Sequence, residues 1–112
     1  AEELEFAEAR ADFLTRLRRL AQQCIAEANA QEQVAERLNM TPRTLHRRLK
    51  QEGLSFKQLL DDMRRLSAMS LLRHQRASIG DIAQQLGYKD QANFVRAFKR
   101  WTGTTPSQFR KG

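Results

Sequence analysis

A short apolar pattern occurs twice in this chain of 112 residues, and this repeat constrains the fold more than any other feature of the sequence. VAERLNM, residues 34 to 40, aligns with IAQQLGY, residues 82 to 88, at a constant offset of 48. Beyond the turn that follows, the offset becomes 49, which pairs Leu45 with Phe94 and Leu49 with Phe98. The chain therefore contains the same small structural unit twice.

Each copy of the repeat is predicted to be a helix-turn-helix unit. Asn39 and Gly87 stand at the turn, where the backbone needs a residue that tolerates a left-handed conformation. The second helix has a clear start in both copies, because Thr41 with Pro42 gives an N-cap and a first helical residue and Asp90 is an N-cap residue. A short helix, a tight turn and a capped second helix together define this motif.

Helical spacing also describes the chain outside the repeat. Ser55 with Gln58 has the form of a capping box at the start of a long helix, and Thr105-Pro106 begins a last helical turn. The apolar residues of the long helix fall on two different sides, so this linker helix is predicted to contact two cores. An apolar stripe defines the first helix, which is expected to end near Asn29, and its members are Phe13, Leu17, Leu20, Cys24 and Ala28.

No segment has a convincing strand pattern, and the chain is predicted to be all-α with seven helices. The folded domain is expected to span about residues 12 to 110. Its parts are a first helix-turn-helix at about 31 to 53, a linker helix at about 55 to 75 and a second helix-turn-helix at about 78 to 103. Neither unit has enough residues to bury a stable core alone, so the linker and terminal helices must add apolar surface.

The positive charge of the chain is unevenly distributed. Residues 1 to 30 contain six acids and four bases, a net charge of −2, whereas residues 31 to 112 contain seven acids and sixteen bases, a net charge of +9, which together give the +7 of the whole chain. Such a basic region suits a polyanionic partner such as nucleic acid. A solvated surface rich in lysine and arginine explains the charge alone equally well.

The outward faces of the two second helices decide between these interpretations. On a helical wheel, the side opposite the apolar residues carries Arg43, His46, Arg47 and Lys50 in the first unit and Ala92, Val95, Arg96 and Lys99 in the second. Arg47 recurs as Arg96, and Lys50 recurs as Lys99. Core packing does not require matched cations on an outer face, so the recurrence favours a shared ligand.

Double-stranded DNA fits these faces. An α-helix enters the major groove, where arginine can bond both acceptors of a guanine edge and a small apolar group can contact the thymine methyl. Ala92 and Val95 are equally well explained as tolerated surface residues, and Gln91 and Asn93 as assistants of the helix cap. A linker helix of about 20 residues would span roughly 30 Å, close to the 34 to 36 Å that separates successive major-groove faces. One monomer is therefore expected to bind two adjacent turns of a duplex.

The segment IAQQLGYKDQANFVRAFKRWTGTTPSQFR, residues 82 to 110, resembles the AraC/XylS family of bacterial transcription regulators. The resemblance covers nearly the whole chain. It implies a seven-helix domain with two helix-turn-helix units that binds promoter DNA and usually activates transcription through contacts with RNA polymerase. The family's base-contacting positions correspond to Arg43, His46, Arg47, Gln91, Ala92, Val95 and Arg96. Contacts with the DNA backbone are expected from Thr41, Thr44, Lys50, Asn93, Lys99 and Arg100.

The resemblance also identifies departures and a larger context. Asn39 replaces a common glycine, Val95 stands where a hydroxyl residue is frequent, and Phe109 replaces a common tyrosine. Most family members carry a separate sensing or dimerising domain, so the acidic residues 1 to 11 are interpreted as the end of a connecting helix in a longer cytoplasmic regulator. Small members that consist of this domain alone are the alternative.

Enzymatic and metal-dependent functions find no support in the sequence. Cys24 lies in an apolar stripe, and His46 and His74 lack the spacing of metal ligands. Asp61 and Asp62 point about 100° apart on a helix, which is unsuited to paired acid and base chemistry. No cofactor is expected, and no apolar run is long enough to cross a membrane.

Two alternatives remain open from the sequence alone. Arg64 and Arg65 on the linker helix can contact DNA phosphate or pair with nearby acids such as Asp61. The basic helical faces can also serve a protein-interaction module that docks an acidic partner, which is the second hypothesis for the function.

Overall fold

The computed structural model describes residues 2 to 112, with the backbone alone described for Glu2. Over this range it contains seven helices and no strand, which confirms the predicted all-α fold of two helix-turn-helix units joined by a long helix. The helices are α1 (Glu2–Gln23), α2 (Ala30–Arg37), α3 (Pro42–Gln51), α4 (Phe56–His74), α5 (Ile79–Gln85), α6 (Gln91–Thr102) and α7 (Pro106–Lys111). They form two compact units, one containing the chain up to Cys24 with Asn29–Leu60, the other Ile25–Ala28 with Asp61–Gly112.

Helix α1 supplies the predicted apolar stripe to the first unit but ends earlier than expected. It stops at Gln23 rather than near Asn29. Directly after Gln23, the Cys24 amide donates to the carbonyl oxygens of both Leu20 and Ala21, which tightens the last turn. The stripe is correct in Phe13, Leu17 and Cys24, which are buried, whereas Leu20 is half-buried and Ala28 is exposed. The residues that follow, 25 to 28, belong to the second unit.

Helix α1 contacts the second helix of its helix-turn-helix unit through two polar side chains. The guanidinium of Arg48 lies 3.8 Å from the centroid of the Phe13 ring, a cation–π contact on the inner side of α3. Arg10 forms an ion pair of 2.5 Å with Glu52, the C-cap residue of α3. These contacts turn Arg48 toward α1, so this arginine is not part of the outward face of α3.

The turns of the two helix-turn-helix units have the same hydrogen bonds. Asn39 and Gly87 both have positive φ, at 57° and 88°, as the alignment predicts. The amide of the next residue reaches back to a buried alanine in each unit, from Met40 to the Ala35 oxygen at 2.9 Å and from Tyr88 to the Ala83 oxygen at 3.0 Å. This 6→1 bond is the Schellman helix ending, and it fixes the direction of the second helix in both units.

Helix α4 contributes to both cores, as its two apolar sides predict. The Ser55 hydroxyl accepts a hydrogen bond of 3.1 Å from the Gln58 amide at its start. Leu59 and Leu60 are buried in the first unit, and Leu72 is buried in the second. The chain therefore passes from one core to the other within a single helix.

Aromatic rings fill the core of the second unit. Phe94 and Phe98 are fully buried and meet edge to face, with ring centroids 5.9 Å apart. Phe109 contacts Phe98 at 5.4 Å, and Trp101 lies 6.3 Å from Tyr88. Trp101 is half-buried and lies on the same side of α6 as Phe94 and Phe98, because the three residues are spaced four and three apart.

Arg110 ties the last helix to the end of α4. Its guanidinium donates to the carbonyl oxygens of Leu72, Gln75 and Ala77 at 3.2, 3.0 and 2.7 Å. Leu72 lies in the last turn of α4, and Gln75 and Ala77 follow the end of this helix at His74, so a side chain has to supply the donors for these carbonyls. One planar guanidinium therefore closes the C-terminal end of α4 with bonds from three different nitrogens, Nε, Nη1 and Nη2.

The half-buried Tyr88 predicts a specific loss of stability at high pH. Burial raises the pKa of Tyr88 above its usual 10.0, and the positive charge of Arg64 opposes this only in part. Because the unfolded chain releases the phenol proton first, the stability of the folded state is unaffected below about pH 10 and falls as pH rises above that value. Urea unfolding of the wild type and Tyr88→Phe between pH 8 and 11, followed by Trp101 fluorescence, will show a shallower alkaline decline in the variant. Equal declines would contradict the effect of burial on this phenol.

Candidate nucleic-acid interface

The outward face of α3 carries cations without a nearby acid on the same helix. The Thr41 hydroxyl caps the helix by accepting from the Thr44 amide at 3.1 Å, and Pro42 occupies the first helical position. Leu45 and Leu49 are buried against the rest of the unit. The three predicted base readers of this helix are exposed, namely Arg43, His46 and Arg47. Lys50, a predicted phosphate contact, is exposed as well.

The outward face of α6 resembles that of α3, with a capped start, a buried apolar side and an exposed polar side. Asp90 caps the helix by accepting from the Asn93 amide at 2.8 Å, and Phe94, Ala97 and Phe98 are buried. Helix α6, like α3, contains no acidic residue. The exposed predicted contacts of this helix are Gln91, Ala92, Arg96, Lys99 and Arg100.

Three predicted contact residues are less accessible than the others. Val95, Asn93 and Thr44 are half-buried, because each lies at the border between the outward and the core side of its helix. Thr44 accepts a hydrogen bond of 3.0 Å from the Thr41 hydroxyl, so its own hydroxyl remains available as a donor. Thr41 itself is exposed beside it, at the N-terminus of α3.

A chain of side-chain hydrogen bonds on α6 was not predicted from the sequence. Asn93 donates its amide hydrogen to Asp90 at 3.3 Å, and its oxygen accepts from the guanidinium of Arg96 at 2.5 Å. The three residues are spaced at i, i+3 and i+6, which brings side chains onto one face of a helix. That spacing is visible in the sequence, but spacing alone does not specify that Asn93 bonds to both Asp90 and Arg96.

The structure decides the open question about Arg64. Its guanidinium donates to the carbonyl oxygens of Leu86 and Ile25 at 3.2 and 3.4 Å and pairs with Asp61 at 3.7 Å. These bonds join α4 to the turn of the second helix-turn-helix unit and to residues 25 to 28. Arg64 is therefore a structural residue, and pairing is the correct alternative for it.

Neither a metal site nor a membrane-spanning helix is found in the described part of the chain. Among residues 2 to 112, no three His, Cys, Asp or Glu side chains come together as metal ligands would. None of the helices in that range combines the length and the apolar character needed to cross a bilayer. Cys24 is buried directly after the end of α1, as expected for a structural cysteine.

Two helix-turn-helix units, each with an exposed cationic second helix, define a class of DNA-binding transcription regulators. A family model described as a helix-turn-helix domain matches residues 34–112, which is more than half of the chain. The chain belongs to the AraC/XylS family of helix-turn-helix transcription regulators. This family consists of DNA-binding regulators rather than enzymes.

Known proteins with similar sequences or structures agree with this assignment. The transcriptional activator RhaS of Escherichia coli is 41% identical over 80 residues, which cover 70% of this chain and 29% of RhaS. The C-terminal domain of the response regulator AraT from Geobacillus stearothermophilus is 38% identical with a TM-score of 0.75, covering 87% of this chain and 82% of that domain. The DNA-binding domain of AdpA, solved with a target DNA, is 27% identical with a TM-score of 0.74, covering 88% and 89%. The chain spans less than a third of the length of the curated relatives that it matches.

Proposed function

We propose that this chain binds double-stranded DNA in a sequence-specific manner by inserting α3 and α6 into major grooves. The observation that carries the proposal is the pair of exposed cationic faces at matched positions, Arg47 with Arg96 and Lys50 with Lys99, on helices that contain no acidic residue. An uncompensated cationic helix face attracts the phosphate backbone, and its arginines can bond base edges in the groove.

The proposed contact residues divide into two roles. Arg47 and Arg96 are the principal base readers, because a guanidinium can bond both acceptors of a guanine. Secondary readers are Arg43, His46, Gln91, Ala92 and Val95. Backbone contacts come from Thr41, Thr44, Lys50, Asn93, Lys99 and Arg100, which lie at the helix starts or carry a charge that a phosphate attracts.

Two successive major grooves on one duplex are the proposed target of a single chain. Helix α4, which connects the two units, has 19 residues and is therefore about 28 Å long at 1.5 Å per residue. This length is comparable to the distance of about 34 to 36 Å between successive major-groove faces. A binding site of two helical turns is the expected consequence, and a duplex cut to one turn will bind markedly more weakly.

The full-length regulator is proposed to activate transcription at a promoter. The name of RhaS describes it as a transcriptional activator, which supports activation as the direction of regulation. The relatives are more than three times as long as the matched region, so a sensing or dimerising domain connected through α1 is proposed as well. Contact with RNA polymerase is the proposed route by which DNA binding becomes activation.

Salt dependence provides the first test of the DNA interface. With about six phosphate contacts, the logarithm of the association constant will fall with the logarithm of salt concentration at a slope near −5, since each contact contributes about −0.9. Fluorescence anisotropy with a two-turn duplex selected from a random pool, between 50 and 300 mM salt, measures this slope.

The same titration separates DNA binding from docking to an acidic protein. A protein-interaction module would bind the selected duplex no better than a random duplex of equal length. Preference for the selected duplex with a steep salt slope supports the proposed function, whereas weak and salt-insensitive affinity for both duplexes contradicts it.

A further inference from the structure

The two principal base readers are held differently in the free protein. The guanidinium of Arg96 donates to the Asn93 side-chain oxygen at 2.5 Å. Within residues 2 to 112, Arg47 has no hydrogen-bonding or ion-pairing partner, although it occupies the aligned position in the first unit. The repeat therefore preserves the arginine but not its support.

The orientation of the Asn93 amide is determined by its two neighbours. The Asp90 carboxylate can only accept hydrogen bonds, so the Asn93 nitrogen must face it, and this bond measures 3.3 Å. The Arg96 guanidinium can only donate, so the Asn93 oxygen must face it. The opposite orientation of the amide would set oxygen against carboxylate and amino group against guanidinium, both of which are repulsive.

The capping carboxylate of Asp90 supports this arrangement with both of its oxygens. Oδ1 accepts from the Asn93 backbone amide at 2.8 Å as the helix cap, and Oδ2 accepts from the Asn93 side chain. Thr41 and Thr44 stand at the aligned positions in the first unit. A threonine hydroxyl cap has one oxygen, and the Thr44 hydroxyl bonds to Thr41 rather than to Arg47.

Arg96 retains its capacity to read a base while it is held. A guanidinium has five N–H donors, and the bond to Asn93 uses one of them. The remaining donors include the pair needed to bond both acceptors of a guanine edge. Holding the side chain in advance removes part of the conformational entropy that would otherwise be lost when the complex forms.

We propose that Asn93, oriented by Asp90, is a positioning residue that holds Arg96 ready to read its base pair, and that the second helix-turn-helix unit is consequently the more discriminating of the two. This inference rests on the proposed function. In this proposal Asn93 does not contact a phosphate itself and instead affects DNA binding by holding Arg96. The first unit, whose Arg47 is unsupported, then adapts to more than one base or to phosphate.

Free-protein dynamics test the support of Arg96 without any DNA. Nitrogen-15 relaxation at the Nε–H groups will give a higher order parameter for Arg96 than for Arg47, and Asn93→Ala and Asp90→Ser will each lower the Arg96 value. Both variants keep the helix cap, because the capping bond uses the Asn93 backbone amide and serine is itself a good cap residue. Equal mobility of Arg96 and Arg47 in the wild type would overturn the proposal.

A double-mutant cycle tests what the support does for DNA recognition. On the selected duplex Asn93→Ala will weaken binding roughly 2- to 10-fold, the ordering cost of one long side chain, while binding to random duplex and the salt slope stay unchanged. In the Arg96→Ala background Asn93→Ala will have no further effect. Gln85→Ala, an exposed amide on α5, is the matched control and will leave binding unchanged.

The outcomes distinguish the positioning role from the function on which it rests. If Asn93 contacts phosphate directly, Asn93→Ala will weaken random and selected duplexes alike, and its effect will add to that of Arg96→Ala, which refutes the positioning role. If the wild type prefers no duplex at all, the proposed function fails, and the relaxation experiment still decides whether Asn93 holds Arg96.

Discussion

Replacing Gly87 with alanine will destabilise the second unit by about 2 to 5 kcal/mol. A left-handed backbone costs an L-residue roughly 1 to 2 kcal/mol, and Gly87 has φ of 88°. A Cβ at this position would lie 2.8 Å from the Ala26 Cα and 2.9 Å from the Ile25 oxygen. Both are backbone atoms that cannot rotate away, so the overlap adds about 1 to 3 kcal/mol.

Gly103→Ala is the matched control for Gly87→Ala. Gly103 also has a positive φ, 79°, but a Cβ there would meet nothing within 4 Å. Its replacement will therefore cost only the conformational part, about 1 to 2 kcal/mol. Trp101, the single tryptophan of the chain, lies in the second unit and reports its unfolding by fluorescence in a urea titration. Equal losses of unfolding free energy in the two variants would show that the close approach of residues 25 and 26 adds nothing to the cost of a side chain at position 87.

The contrast between Asn39 and Gly87 shows what the repeat in the sequence can and cannot reveal. The alignment predicted a left-handed residue at both turns, and both have positive φ. It did not reveal that only Gly87 lies against residues 25 and 26, because that approach depends on where α1 ends. The sequence placed the end of α1 too late, since Ala28 continues the apolar spacing of the stripe although it is exposed.

Local rules predicted most of the fold because most of it is determined locally. The caps at Thr41, Asp90 and Thr105 follow from residue type and position, and each is present as predicted. Contacts between distant segments could not be predicted from such local rules. The bonds from Arg110 to the end of α4 and from Arg48 to Phe13 join residues with no regular spacing in the sequence.

The candidate site was predictable to the extent that exposure follows helical periodicity. The wheel distinguished Arg47 and Arg96 from the buried leucines and phenylalanines, and both arginines are exposed. It could not distinguish the two arginines from each other, because a wheel records the direction of a side chain but not its hydrogen bonds. The support of Arg96 by Asn93 depends on the side-chain conformations of both residues, which periodicity does not specify.

Removing both principal base readers will nearly abolish sequence preference. Each arginine that bonds a base contributes about 1 to 3 kcal/mol, and Arg47 and Arg96 lie in different units, so their contributions are expected to add. The double variant Arg47→Ala/Arg96→Ala will therefore bind the selected duplex about 30-fold to 10⁴-fold more weakly, since about 1.4 kcal/mol corresponds to tenfold. Competition binding with the selected duplex and with variants of it at single base pairs measures both affinity and preference.

The control for this double variant must remove the same charge elsewhere. Arg18 and Arg19 are exposed on α1, outside both proposed reading helices, so Arg18→Ala/Arg19→Ala lowers the net charge equally. It will weaken the selected and the random duplex by the same small factor, because it changes only long-range attraction. The loss in Arg47→Ala/Arg96→Ala will instead concentrate on the selected duplex. A salt slope reduced by nearly 2 in that variant, with both duplexes weakened equally, would show that these arginines contact phosphate and do not read bases.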